Sequence, residues 1–205
     1  LDAAVEGAML AKMRNGGQAC TAANRFLVHH SIAEQFARRL AQRMGELVQG
    51  PGTDPATQLG PMVSQKAADG IAELVEAAVR DGATAILGGA RHEGPGYFYP
   101  ATVLTGVAAD APIVTREIFG PVAPIVSVAD DNEAVRLANA TEYGLVGYVY
   151  SRDLARALRV AERLETGMVG INRGLVSDAA APFGGVKQSG SGREGGFEGI
   201  DSYLE

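Results

Sequence analysis

The sequence predicts an α/β fold, a mainly parallel, twisted sheet with helices on both faces. Short apolar, β-branched runs alternate with longer segments of helical period, most clearly in the last third, which reads helix 132–139, strand 146–150, helix 154–164, strand 168–172. Strands separated by helices of this length imply βαβ units, whose crossovers make neighbouring strands parallel. The 205 residues are 46% hydrophobic and 20% charged, which supplies a folded core and leaves too little net charge for disorder.

The elements follow in order. Residues 2–13 place Ala4, Val5, Ala8, Met9 and Met13 on one helical face, with Asp2 and Glu6 towards the positive end of the helix dipole. Asn15, Gly16 and Gly17 tolerate unusual dihedrals and end that helix. Residues 25–29 (RFLVH) read as a buried strand. A second helix should start at Ser31 as N-cap, with Glu34 completing a capping box, and carry Ile32, Phe36, Leu40, Met44 and Leu47 as its stripe. Residues 49–61 hold three prolines and three glycines, so neither helix nor strand can run through them. Helical period returns over 64–80 through Ile71, Leu74, Val75, Ala78 and Val79, with Gly82 closing the end, and strands are expected at 84–87, 97–103 and 122–128. From Gly174 onward glycine becomes dense and regular alternation stops. The flanking segments are too small for separate cores, so residues 1–205 are expected to form one domain.

Charge and composition exclude several functions. Twenty-four acids against 18 bases give a net charge of −6, with no Lys/Arg run longer than two, so no nucleic-acid partner is expected. Every apolar run is interrupted well short of the roughly 18 to 20 residues needed to cross a bilayer, so no membrane is expected. Residues 1–15 are acidic before they are basic and lack signal-peptide order. The single cysteine, Cys20, cannot close an internal disulfide, which points to a reducing, cytoplasmic location. His29, His30 and His92 have no Cys or carboxylate at ligand spacing, so no metal is expected.

The candidate residues admit a structural and a chemical reading each. Cys20 follows a glycine turn and precedes the small residues Thr21, Ala22 and Ala23; it is either a packed core residue or an accessible thiolate supported by backbone N–H groups. Glu117, beside Phe119, Gly120 and Pro121, either faces solvent or accepts hydrogen bonds from a polyol such as a ribose. Arg14 ends a helix, where a cation complements the dipole. Asn172 and Ser177 suit turns. Phe183-Gly184-Gly185 matches no phosphate loop, since neither GxGxxG after a strand nor GxxxxGK[ST] occurs.

Four segments taken together narrow the choice: GQACTAANR at 17–25, EIFGP at 117–121, ANxTxYGL at 138–145, and PFGGVKxSGxGRE at 182–194. In order and spacing they resemble the aldehyde dehydrogenase superfamily, over essentially the whole chain, and correspond to its catalytic domain. The resemblance implies that Cys20 is the nucleophile: its thiolate attacks an aldehyde, the thiohemiacetal is oxidised by NAD or NADP, and water hydrolyses the thioester. It also implies that the Cys20 N–H forms half of an oxyanion hole. Glu117 matches the carboxylate that binds the nicotinamide ribose, Phe119 the ring packed near the nicotinamide, and Phe183 an aromatic wall of the substrate pocket.

The family's Rossmann cofactor domain, its glutamate base in an ELGG-type segment, its oxyanion asparagine and its oligomerisation strand have no counterpart in these residues. The chain by itself is therefore expected to be inactive, and the full-length protein to be a homo-oligomer. Arg14 and Ser177 resemble the positions at which succinate-semialdehyde dehydrogenases hold the substrate's distal carboxylate. Ala22 stands where some of those enzymes carry a second, redox-active cysteine. The expected reaction is oxidation of succinate semialdehyde to succinate. Glutarate semialdehyde or a broad aldehyde range is the alternative, because one methylene is worth only about 1 to 3 kcal/mol of discrimination. A non-catalytic interaction fragment is the alternative outside enzymes.

Overall fold

A computed structural model of the chain describes residues 1–91 and 94–205. His92, one of the three histidines weighed as metal ligands, lies outside the described residues. The chain divides into two compact units, Leu1–Asp130 and Asp131–Glu205.

In the first unit, helix α1 (Asp2–Met13) leads through a tight turn to strand β1 (Phe26–His29), then to helices α2 (His30–Gly45) and α3 (Gln65–Arg80). Strands β2 (Thr84–Leu87) and β3 (Thr102–Thr105), a single turn α4 (Pro112–Thr115) and strand β4 (Val122–Val128) complete it. The sheet order is β1-β4-β3-β2. β4 runs parallel to both neighbours, with Phe26 opposite Ile125 on one side and Thr102 opposite Val122 on the other, while β2 is antiparallel to β3. Pro124 sits where the ladder to β3 ends and the ladder to β1 begins, which is how a central strand tolerates a residue with no N–H.

Phe36, Ala37, Leu40 and Met44 of α2 close over Val28, Val103, Ala123 and Ile125, joined by Val5 and Ala8 of α1. Leu40 and Met44 are fully buried, each worth about 1.5 to 3 kcal/mol of transfer free energy. Exposed ion pairs, Asp2 with Arg39 and Glu6 with Arg43, tie α1 to α2 but add little.

The second unit is smaller and less regular. Helix α5 (Asp131–Asn139) is followed by a short antiparallel pair, β5 (Tyr143–Gly144) with β8 (Val186–Lys187). Between them, β6 (Val146–Val149) and β7 (Met168–Ile171) pair in parallel around helix α6 (Leu154–Ala161), a small βαβ unit. Among the described residues no helix is long and apolar enough to cross a membrane.

Four expectations need correction. The strand expected over 97–103 forms only at Thr102–Thr105, because Pro100 cannot donate to a ladder. Helix α2 starts two residues early: the His29 ring, not Ser31, accepts the capping bond, from the Ser31 N–H at 3.3 Å. Its stripe is shorter than expected, since Ile32 is exposed and Leu47 lies beyond the helix. Helix α6 stops at Ala161, where Asn139 captures the following turn by donating to Arg163 O at 2.8 Å and accepting from the Glu165 N–H at 2.9 Å. The remaining helix and strand positions agree to within one or two residues, including α3, whose Ser64 hydroxyl accepts from the Ala67 N–H and whose end passes through Gly82 at φ +104°.

Candidate active site

The apolar face that packs α1 against the sheet carries Val5 and Ala8, and one further turn brings Lys12 onto the same face. Lys12 is therefore buried, 1% exposed, and its Nζ donates to Ala23 O at 2.9 Å. Burial pulls its pKa down from 10.5 to about 7, against the opposing pull of the Glu117 carboxylate. A lysine within an apolar stripe is a signal the sequence reading passed over.

After α1 the chain reverses through Asn15, Gly16 and Gly17, all at positive φ. Gly17 lies against Gly120: a Cβ there would stand 2.2 Å from Gly120 O, so only glycine allows the approach. Gln18 then fastens the chain to the loop before α3, its Oε1 accepting from the Val63 N–H at 2.8 Å. The Ala22 N–H donates to Ala19 O at 2.9 Å, closing a turn with Cys20 and Thr21 at its tip. Thr21 is buried and Cys20 is exposed, so the thiol is open to approach. Among the described residues the Cys20 N–H has no acceptor. The element after this turn is strand β1, as expected.

The Glu117 loop is bound to the same segment. Asn24 Nδ2 donates to Arg116 O at 2.8 Å, Asn24 Oδ1 accepts from the Ile118 N–H at 2.9 Å, and Arg25 Nη1 donates to Val114 O at 3.0 Å. Ile118 is 4% exposed and anchors the loop, which leaves Glu117 and Phe119 on either side of it facing outward. Phe119 is held at φ +51°, a conformation costly for a bulky side chain and typical of sites where backbone strain serves a function. Arg14 is exposed at the C-terminal end of α1, in the same connection as Cys20. Thus Cys20, Arg14, Glu117 and Phe119 lie on two connected loops of the first unit.

Ser177 and Phe183 belong to the second unit, where they line an open cleft of about 390 Å³ with Asp178, Ala179, Glu194 and Gly195. Phe183 is pinned by a reciprocal pair of bonds: its N–H reaches Glu194 O at 2.6 Å and its carbonyl accepts from the Glu194 N–H at 2.8 Å. Arg193 Nη1 closes the glycine-rich turn on Gly185 O at 2.8 Å. Two acidic residues, Asp178 and Glu194, line the cleft, and Arg14 belongs to the first unit.

An exposed cysteine on a turn thus lies in a segment fastened to the loop that carries Glu117. Residues 1–205 match the aldehyde dehydrogenase family, and the chain belongs to that family of oxidoreductases. It is 61% identical over 203 residues to a succinate-semialdehyde dehydrogenase of Paenarthrobacter nicotinovorans, covering 99% of this chain and 45% of that one. It is 49% identical over 205 residues to a 3-sulfolactaldehyde dehydrogenase of Pseudomonas putida, covering 100% of this chain and 42% of that one. The crystal structure of a succinate-semialdehyde dehydrogenase from Burkholderia pseudomallei superposes with a TM-score of 0.96 at 50% identity, over 98% of this chain and 42% of that one. The chain thus spans less than half the length of these relatives.

Proposed function

We propose that this chain carries the nucleophile and part of the substrate and cofactor contacts of an NAD- or NADP-dependent succinate-semialdehyde dehydrogenase. The observation that carries this reading is an exposed cysteine at the tip of a fastened turn, in a chain 61% identical to an enzyme of that name. Cys20 adds as the thiolate to the aldehyde carbon, and its own N–H, with no acceptor among the described residues, is available to the oxygen as it becomes an alkoxide. NAD or NADP, when bound, accepts the two electrons and hydrogen lost from that carbon. The carbon then remains on Cys20 as a thioester, and addition of water releases the acid and restores the thiol.

The residues present suit the nucleotide. Glu117 offers an outward carboxylate, an acceptor matched to two ribose hydroxyls, and Phe119 offers an outward aromatic ring on the same loop. Substrate choice rests on a distal anion: succinate semialdehyde carries a carboxylate and 3-sulfolactaldehyde a sulfonate, and Arg14 is the exposed cation on the nucleophile's own loop. The test is kcat/KM of the full-length protein for succinate semialdehyde, glutarate semialdehyde, 3-sulfolactaldehyde and butanal. Succinate semialdehyde is expected to lead, with butanal last. A lead for butanal would overturn the assignment of an anionic substrate, and a lead for either other anion would move the substrate without moving the chemistry.

A further inference from the structure

Asn24 presents both halves of its carboxamide to the backbone on either side of Glu117. Nδ2 holds the carbonyl of Arg116 at 2.8 Å and Oδ1 holds the N–H of Ile118 at 2.9 Å. This is the pairing a neighbouring strand would supply, made by one side chain, and it anchors the peptide groups before and after the carboxylate-bearing residue.

Asn24 is itself well fixed. Its neighbour Ala23 is bonded through both backbone groups to α1: the Ala23 N–H donates to Ala11 O at 3.0 Å, and Ala23 O accepts from Lys12 Nζ at 2.9 Å. A lysine on a buried helix face is unfavourable beside an apolar residue of the same volume. What it supplies that methionine would not is a donor to Ala23 and a charge towards Glu117. The segment is therefore braced from α1 at Ala23 and reaches the Glu117 loop at Asn24, with Cys20 on the intervening turn.

We propose that Asn24 is a positioning residue for the nucleotide site: its carboxamide, bonded to Arg116 O and the Ile118 N–H and braced through Ala23 by Lys12, sets the Glu117 carboxylate in register with the turn that carries Cys20. This rests on the reading of Glu117 as the ribose ligand. A loosened Glu117 loop weakens nucleotide binding without altering the thiol, because the Cys20 turn keeps its own bonds through Gln18, Ala22 and Ala23. Asn24→Asp keeps the size and the acceptor for the Ile118 N–H but turns an acceptor towards Arg116 O.

The experiment uses the full-length protein and four variants: Asn24→Ala, Asn24→Asp, Glu117→Gln, and Asn24→Ala with Glu117→Gln. Two quantities are measured, KM for NAD or NADP and the rate of Cys20 alkylation by iodoacetamide without nucleotide. Glu117→Gln and Asn24→Ala should each raise KM about 10-fold, Asn24→Asp somewhat less, and the double variant little more than Glu117→Gln alone, because the two act as one unit. Alkylation should stay within about twofold throughout. If Glu117→Gln leaves KM unchanged, the ribose assignment falls and the proposal with it. If Glu117→Gln raises KM but Asn24→Ala does not, or the two effects add fully, the ribose assignment stands and the positioning role is overturned. Should Asn24→Ala not fold, Asn24→Asp alone and combined with Glu117→Gln carries the same comparison.

Discussion

The Cys20–Glu117 region of the first unit and the glycine-rich 174–196 segment of the second are built on different principles. In the first, the peptide groups flanking the candidate residues are gripped by side chains: Gln18 holds Val63, Asn24 holds Arg116 and Ile118, Arg25 holds Val114, and Lys12 holds Ala23. In the second, one reciprocal backbone pair and Arg193 define an open cleft, and the chain beyond it leaves Phe197 96% and Tyr203 80% exposed. The contrast assigns each region a task. On the reading proposed above, Cys20 and Glu117 would act from a backbone braced by neighbouring side chains, whereas Ser177 and Phe183 would meet the substrate from an open cleft.

Predictions break or sharpen this contrast in order of expected size. Cys20→Ala in the full-length protein should reduce oxidation of every aldehyde by about 10³-fold or more, since no other group on the turn can form the thioester. Assays of succinate semialdehyde and butanal check it, and an unequal loss would mean that Cys20 selects as well as reacts. Gly17→Ala comes next, because a Cβ would meet Gly120 O and the backbone is already at φ +78°. It should cost about 3 to 5 kcal/mol in a denaturant titration. Gly82→Ala, at φ +104° with open space around the new Cβ, should cost only about 1 to 2 kcal/mol.

Arg14→Ala tests substrate choice from the loop that carries Cys20. Loss of a charge-assisted contact to the distal carboxylate should lower kcat/KM for succinate semialdehyde by about 10- to 150-fold relative to butanal. An equal loss on both aldehydes would return Arg14 to capping the dipole of α1.

Lys12→Met probes the brace through pH. Folding lowers the Lys12 pKa from 10.5 to about 7, so between those values the unfolded chain binds the extra proton. The stability of the wild type relative to Lys12→Met should therefore rise with pH across that window, by at most about 1.4 kcal/mol per pH unit. Urea titrations at pH 7, 8 and 9 measure the slope; a flat difference would mean that Lys12 is not desolvated. Ser177→Ala is the smallest effect, about 2- to 10-fold on succinate semialdehyde, the worth of a neutral hydrogen bond, with unchanged thermal stability because Ser177 is exposed on the cleft wall.

The regular elements were legible in the sequence where periodicity and termini agree: α3 shows its stripe and its Gly82 exit together, while Ser64, expected as its first helical residue, is its N-cap. The failures have different causes, one local and one tertiary. Residues 97–103 look like a strand by composition, but Pro100 makes the pairing impossible there, and α6 ends early because Asn139, from another element, captures its last turn. Cys20 and Glu117 could be named only through the resemblance of their motifs to a known family. The side chains that brace them could not, because Asn24 and Arg116 are joined only by the fold, and nothing local to Asn24 distinguishes it from a turn residue. Lys12 differs in that its place on the Val5–Ala8 face was a readable signal of a buried amine, though it was passed over.

The central claim, that Cys20 carries the substrate carbon through oxidation, is open to direct measurement. The full-length protein is mixed with succinate semialdehyde and NAD or NADP, quenched in acid within milliseconds, digested, and its peptides weighed. A succinyl thioester is expected on the peptide containing Cys20, absent without nucleotide and absent in Cys20→Ala. Succinate accumulating while no succinyl group is found on Cys20, or while it is found on another side chain, would contradict it.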